Sequence, residues 1–216
     1  MSEGAGSSAV RVERPVYFSV IDAIDQMNWE LLTADEIMRV AKAYYYFSVQ
    51  FRENLTIACR LYPDDEKLKE LWAGECDTAN LSPFPDIAQK GERMNHDEFM
   101  RRLLECHLVG GDEGLSLVGQ AYLNRTRKMS DAARAASIAS YENGGLSTVF
   151  HAMLRAKAWH GMGQRAFRFF LRAHIGFDGD GGHGSLCEHI PVDDKILPLW
   201  VAFCDLLIFA VPKLTE

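Results

Sequence analysis

Two histidines, His174 and His183, bracket two aspartates, Asp178 and Asp180, in the stretch Phe169-Phe170-Leu171-Arg172-Ala173-His174-Ile175-Gly176-Phe177-Asp178-Gly179-Asp180-Gly181-Gly182-His183-Gly184. If a helix runs through residue 178, His174 and Asp178 stand at i and i+4, on one face and one turn apart. Imidazole and carboxylate together suit iron or manganese, whereas thiolate sets favour zinc or iron–sulfur centres. The plainer reading is a helix C-terminus capped by glycine, with a surface histidine and two solvated aspartates. Three more residues favour the metal. Glu75 closes the apolar face of Leu68, Leu71 and Trp72, and His96 sits just inside the next helix start. Glu142 ends an uncharged, alanine-rich run from Ala135 to Tyr141. Glu75, His96, Glu142, His174, Asp178 and His183 make three histidines and three carboxylates. Two divalent cations against three carboxylates leave one net positive charge, which an anionic substrate or a reduced oxygen species would balance. Six groups shared by two metals also leave coordination positions open, as catalytic sites require.

These residues must be positioned by helices. Pro15 to Gln26 carries a mixed apolar pattern suited to a short first helix. Thr33-Ala34-Asp35-Glu36 is a capping box, and from it Ile37, Val40, Ala41, Tyr44, Phe47, Phe51, Leu55 and Ala58 form a stripe of helical period. Tyr44-Tyr45-Tyr46-Phe47 makes that long helix aromatic nearly all round, which suits a central position. Pro63-Asp64-Asp65 ends it and starts the helix that carries Glu75. After the Ser82-Pro83-Phe84-Pro85 loop, Asn95 caps a helix running to Gly110-Gly111. A helix over 113–128 follows, then one opened by Ser130-Asp131. Asn143-Gly144-Gly145 predicts a break or kink, since each glycine costs about 1 kcal/mol against alanine. The helical pattern resumes from Leu146 to His160, and Gly161-Met162-Gly163 turns the chain into the helix that carries His174. A last, apolar helix starts at Pro191-Val192-Asp193-Asp194 and ends near Pro212. No segment alternates with strand period. The expectation is an all-α fold, a single bundle of about seven to eight helices over 14–216, behind a flexible N-terminal arm over 1–13.

The pattern resembles the haem-oxygenase-like di-metal oxidases, helical bundles that hold a non-haem di-iron centre. The likeness runs from about residue 40 to residue 205. Tyr46-Phe47 to Phe51, Leu61-Tyr62-Pro63-Asp64 and Leu68 to Glu75 resemble the family's first ligand helix, with Glu75 in the glutamate position. His96 with Asp97-Glu98-Phe99 resembles the histidine after a loop, and Tyr141-Glu142 the glutamate of the next core helix. His174, Asp178 and His183 are similar to the closing His, Asp, His group. His183 follows Asp178 by five residues within a glycine loop, so Asp180 stands beside Asp178 as an alternative ligand. The resemblance implies an oxidoreductase that holds two Fe(II) per chain, with manganese the other metal its ligands suit, and takes dioxygen as co-substrate. The substrate would be a small amino-acid- or fatty-acid-like molecule. Glu142, His174 and Asp178 would be catalytic. Tyr44, Phe47, Phe51, Tyr141, Phe150 and Phe170 would surround the substrate in the bundle interior. Arg134, Arg155, Arg168 or Arg172 would clamp its carboxylate, because a guanidinium fork matches that geometry.

Composition narrows the class. The 216 residues are 48% hydrophobic and 25% charged, with a net charge of −7. That balance, with no basic tract interleaved with aromatics, argues against nucleic acid as partner. No signal-peptide core and no run of 18 apolar residues occurs, which predicts a cytoplasmic chain with no membrane partner. A homodimer stays open. The five cysteines are scattered without a CxxC pair, as expected for reduced thiols that mostly serve as small buried hydrophobes. Two other readings keep an all-α chain. One is a metal-independent thiaminase- or quinone-synthase-like enzyme using a cysteine nucleophile. The other is a non-catalytic helical interaction protein, in which the three histidines would lie far apart.

Overall fold

Helix α2, Ala34–Leu61, is the element around which the others pack. A computed structural model describes residues 14–106, 112–177, 183–187 and 189–216, with side chains omitted at 183 and 184. The Thr33 side chain accepts from the Glu36 N–H at 3.3 Å, and Glu36 Oε2 accepts from the Thr33 N–H at 2.7 Å. This reciprocal cap satisfies two backbone donors that the first turn leaves without carbonyl partners and contributes about 1 kcal/mol. From there α2 touches α3 (Glu66–Glu75), α4 (His96–Cys106), α5 (Glu113–Thr126), α6 (Asp131–Ser140), α8 (Met162–Phe177) and α10 (Leu197–Ala210). Neighbours on every side explain why Tyr44, Tyr46 and Phe47 in successive directions are all buried. The shorter α1 (Tyr17–Asp25) lies against α7 (Leu146–Met153) and α10, and α9 (His183–Cys187) against α3. With α6, the turn after it and α7 counted as one kinked helix, the described residues hold nine helices, eight of at least seven residues. The all-α expectation is met.

One boundary and one helix face differ from the sequence reading. The pattern beginning at Leu146 does not continue to His160: α7 stops at Met153. Arg155 is drawn to the end of α1, donating to Asp25 Oδ1 at 2.8 Å, and Trp159 is buried beside Phe167. Those tertiary contacts outweigh helical continuation over residues 154–161. Trp72 does not join the buried face of α3; Leu68, Leu71 and Glu75 do, while Trp72 is 40% exposed.

The expected break between α6 and α7 is a kink within Tyr141–Gly145, where Asn143 (φ −82°, ψ 52°) and Gly144 (φ +86°) leave helical geometry. Such a backbone is open to glycine and strained for other residues. A Cβ on Gly145 would lie 2.2 Å from the Ser140 carbonyl and 2.8 Å from the Trp200 ring, so the chain can pass α10 here only without a side chain. Glu142, the residue before the two that leave helical geometry, is buried.

Candidate metal centre

Residues 76–95 bring the end of α3 back to the start of α4. Thr78 and Met94 exchange backbone hydrogen bonds at 3.1 and 2.9 Å, and the Asp77 N–H donates to Asn95 Oδ1 at 3.1 Å. Clamped this way, Glu75, the last residue of α3, meets His96, the first of α4: Glu75 Oε2 lies 2.6 Å from His96 Nδ1. Helix α8 supplies His174 from its buried face, with Nε2 2.8 Å from His96 Nδ1 and 4.0 Å from Glu75 Oε2. All three side chains are buried, and their ligand atoms lie within 4.8 Å of one another. Glu75, His96 and His174 form one candidate metal site.

The outer nitrogens decide what this cluster presents. Asn80 donates through Nδ2 to the Gly74 carbonyl at 2.9 Å, so its Oδ1, 3.0 Å from His96 Nε2, must accept, and His96 Nε2 carries the proton. His174 Nδ1 lies 2.8 Å from the Phe170 carbonyl, which can only accept, so that nitrogen is protonated too. In the neutral rings, His96 Nδ1 and His174 Nε2 are therefore lone pairs. Together with a carboxylate oxygen they form three converging acceptors, the set a divalent cation takes, and outer-nitrogen bonds of this kind orient histidine ligands. Donors bonded to one ion at about 2.1 Å stand roughly 3 Å apart at right angles and roughly 4 Å apart when opposed, and the three observed separations scatter around those values. Stacking holds the rings in place. The His174 imidazole lies 4.0 Å from the Phe170 ring centroid, and His96 packs against Phe170 and Phe177.

A cavity of about 20 Å³ lies among these groups, lined also by Tyr44, Ser48, Phe51, Glu142, Leu146 and Phe170. That is room for about one water-sized sphere. Glu142 is buried on this cavity but is not in the three-residue cluster. Of the anticipated substrate residues, Tyr44, Phe51 and Phe170 line the cavity. Phe47, Tyr141 and Phe150 are core, with the Tyr141 ring between Phe47 and Trp200. Arg172 departs from the expectation: it is exposed on the outer side of α8 and does not enter the interior. Arg134 pairs with Glu53 at 3.1 Å and Arg155 with Asp25, so both are engaged structurally. Asp178, Asp180 and the His183 side chain lie outside the described residues.

His189 lies away from the cluster: it bonds Asp65, the N-cap of α3, and is exposed. Asn80, Ser48 and Leu146 carried no spacing signal, and sequence reasoning missed them. Burial, then the adjacent Glu75 charge, pushes the Cys76 thiol up to about 12. Burial and then Glu142 raise Cys187, while burial and Asp205 raise Cys204 to about 11. Neutral thiols are poor nucleophiles.

Compared with protein-family models, curated proteins and solved structures, the chain matches none of them. The centre therefore stands on its own geometry. No described helix is long and apolar enough to cross a membrane.

Proposed function

We propose that this chain is a non-haem iron oxidase or oxygenase of the haem-oxygenase-like di-metal kind, acting on a small amino-acid- or fatty-acid-like molecule. The observation that carries it is the convergence of two imidazole lone pairs and a carboxylate oxygen, with the outer nitrogens bonded to Asn80 and the Phe170 carbonyl. Two histidines and one carboxylate are the donor set of non-haem Fe(II) oxygenases. Glu75, His96 and His174 would hold one metal, and Glu142, with Asp178 or Asp180 and His183, the second. When bound, ferrous iron supplies the electrons that activate dioxygen.

The chain's own residues would do the rest. Asn80 and the Phe170 carbonyl hold the outer protons of the two imidazoles, keeping each ring turned toward the metal position. Tyr44, Phe51, Leu146 and Phe170 wall the cavity with mostly apolar surface and limit water near a reactive oxidant. A cavity of about 20 Å³ admits no organic substrate, so the walls must part for one to enter. The chain is read as one helical domain, cytoplasmic, with a homodimer left open.

A single-metal oxygenase is the second reading, favoured by the cavity size and by the three-residue cluster. The cysteine-nucleophile reading loses support from the raised thiols, and the interaction-protein reading from the 2.8 Å contact between His96 and His174. Anaerobic ferrous titration of metal-free protein, followed by dioxygen, separates these readings. About two irons per chain and a transient visible absorption support the di-metal enzyme, and one iron per chain the single-metal one. No bound iron, with Glu142→Ala and His174→Ala indistinguishable from wild type, overturns both.

A further inference from the structure

Eleven of the fourteen described arginines pair with a carboxylate. The three that pair with none among the described residues are Arg165, Arg168 and Arg172, and all three lie on α8. Their spacing, i, i+3 and i+7, puts them on one face of the helix. Like charges so spaced repel and weaken a helix, in a chain whose net charge of −7 offers carboxylates in excess.

Two of the three guanidinium groups are already held. Arg165 Nη1 donates to the His160 carbonyl at 2.7 Å, and the Arg168 guanidinium lies 5.9 Å from the Trp159 ring centroid. Arg168 Nε is enclosed from solvent and has no acceptor among the described residues, although a buried donor without one is destabilising. A cleft of about 360 Å³ opens among the three arginines, with Phe169 and Ala173 as its apolar part. On a helical wheel this face lies roughly 120–180° from His174, so a ligand here is separate from the metal cavity.

We propose that the Arg165–Arg168–Arg172 face of α8 is an oxyanion site for a phosphate-bearing small molecule. A carboxylate satisfies one guanidinium fork. A phosphate has three terminal oxygens and close to two charges, which match a group of three forks. The apolar part of the cleft would take the organic body.

The test is a titration of the full chain with inorganic phosphate, followed by 31P NMR at fixed ionic strength, with benzoate as the carboxylate comparison. Saturable binding at one site per chain, displaced by sulfate and at least about tenfold weaker in Arg168→Gln/Arg172→Gln, is the expected result. Arg125→Gln, which removes an exposed pairing with Asp205, should bind phosphate as wild type does. Should the double variant lose its helical circular dichroism, Arg165→Gln replaces it, because that side chain is exposed. Non-saturable binding, equal affinity in the α8 variants, or tighter binding of benzoate than phosphate overturns the proposal.

Discussion

Asn80 offers the sharpest test of the metal centre, because it touches no metal position yet is bonded at both ends of the cluster. Its Oδ1 accepts a hydrogen bond from the His96 Nε2–H at 3.0 Å, and its Nδ2 donates to the Gly74 carbonyl, one residue before Glu75, at 2.9 Å. Asn80→Ala removes both bonds. Loss of the acceptor lets the His96 ring turn and its proton move to Nδ1, the nitrogen that faces Glu75 and His174. Outer-nitrogen partners of this kind typically govern metal affinity by 10–100-fold, so the expected loss is about 1.4–2.7 kcal/mol of binding. Two missing hydrogen bonds also lower the stability of the metal-free fold by about 1–3 kcal/mol. Asn80→Asp separates the two effects. A carboxylate still accepts from His96 Nε2, and more strongly, but its second oxygen faces the Gly74 carbonyl and repels it. Metal affinity should therefore stay within about threefold of wild type while the urea midpoint falls. Affinity can be read by anaerobic competition for Fe(II) against a coloured chelator, and stability by urea titration without metal. If Asn80→Ala binds iron as wild type does, or Asn80→Asp loses as much affinity as Asn80→Ala, the tautomer argument fails.

In the di-metal reading, Glu142→Ala should lower iron from about two per chain to one, whereas Glu75→Ala and His96→Ala should weaken uptake at the first position by at least about tenfold; metal analysis after gel filtration reads both. Gly145→Ala should destabilise the protein by about 1–3 kcal/mol, because its Cβ meets the Ser140 carbonyl and the Trp200 ring; an unchanged thermal midpoint would mean that the kink can shift freely. Iodoacetamide at pH 8 should modify exposed Cys106 and spare Cys76, which at that pH lies far below its midpoint of about 12 and stays a neutral thiol. Labelling of Cys76 in the native protein at the rate of Cys106, followed by mass spectrometry, would revive the cysteine-nucleophile reading. Metal uptake should release protons and weaken as pH falls, since imidazole and carboxylate must lose protons to bind; pH-stat titration with Fe(II) reads this directly.

The sequence carries the local features because they depend on neighbours a few residues apart. Thr33 and Glu36 are a complete cap by themselves, and the stripe from Ile37 to Ala58 has one helical period, so α2 was legible before any fold was known. Asn143-Gly144-Gly145 likewise announces a break, since glycine's backbone freedom is a property of the residue. Glu75, His96 and His174 were legible as candidates because each is a polar group at the end or on the buried face of an otherwise apolar pattern.

What the tertiary structure decided is which candidates meet. The loop over 76–95 folds back through the Thr78–Met94 pairing, and only that closure puts Glu75 against His96. Asn80 becomes a partner of His96 through the same loop, and no spacing rule predicts a contact made by loop closure. Arg172 shows the converse: its type suggested a substrate clamp, but its position on the helical wheel, set by which side of α8 the core occupies, places it outside. Arg155 ends a helix by reaching Asp25, a residue 130 positions away. Residue types and short-range periodicity fix what each segment can become, while burial and long-range contacts select among those outcomes, because only the folded chain brings distant groups within hydrogen-bonding distance.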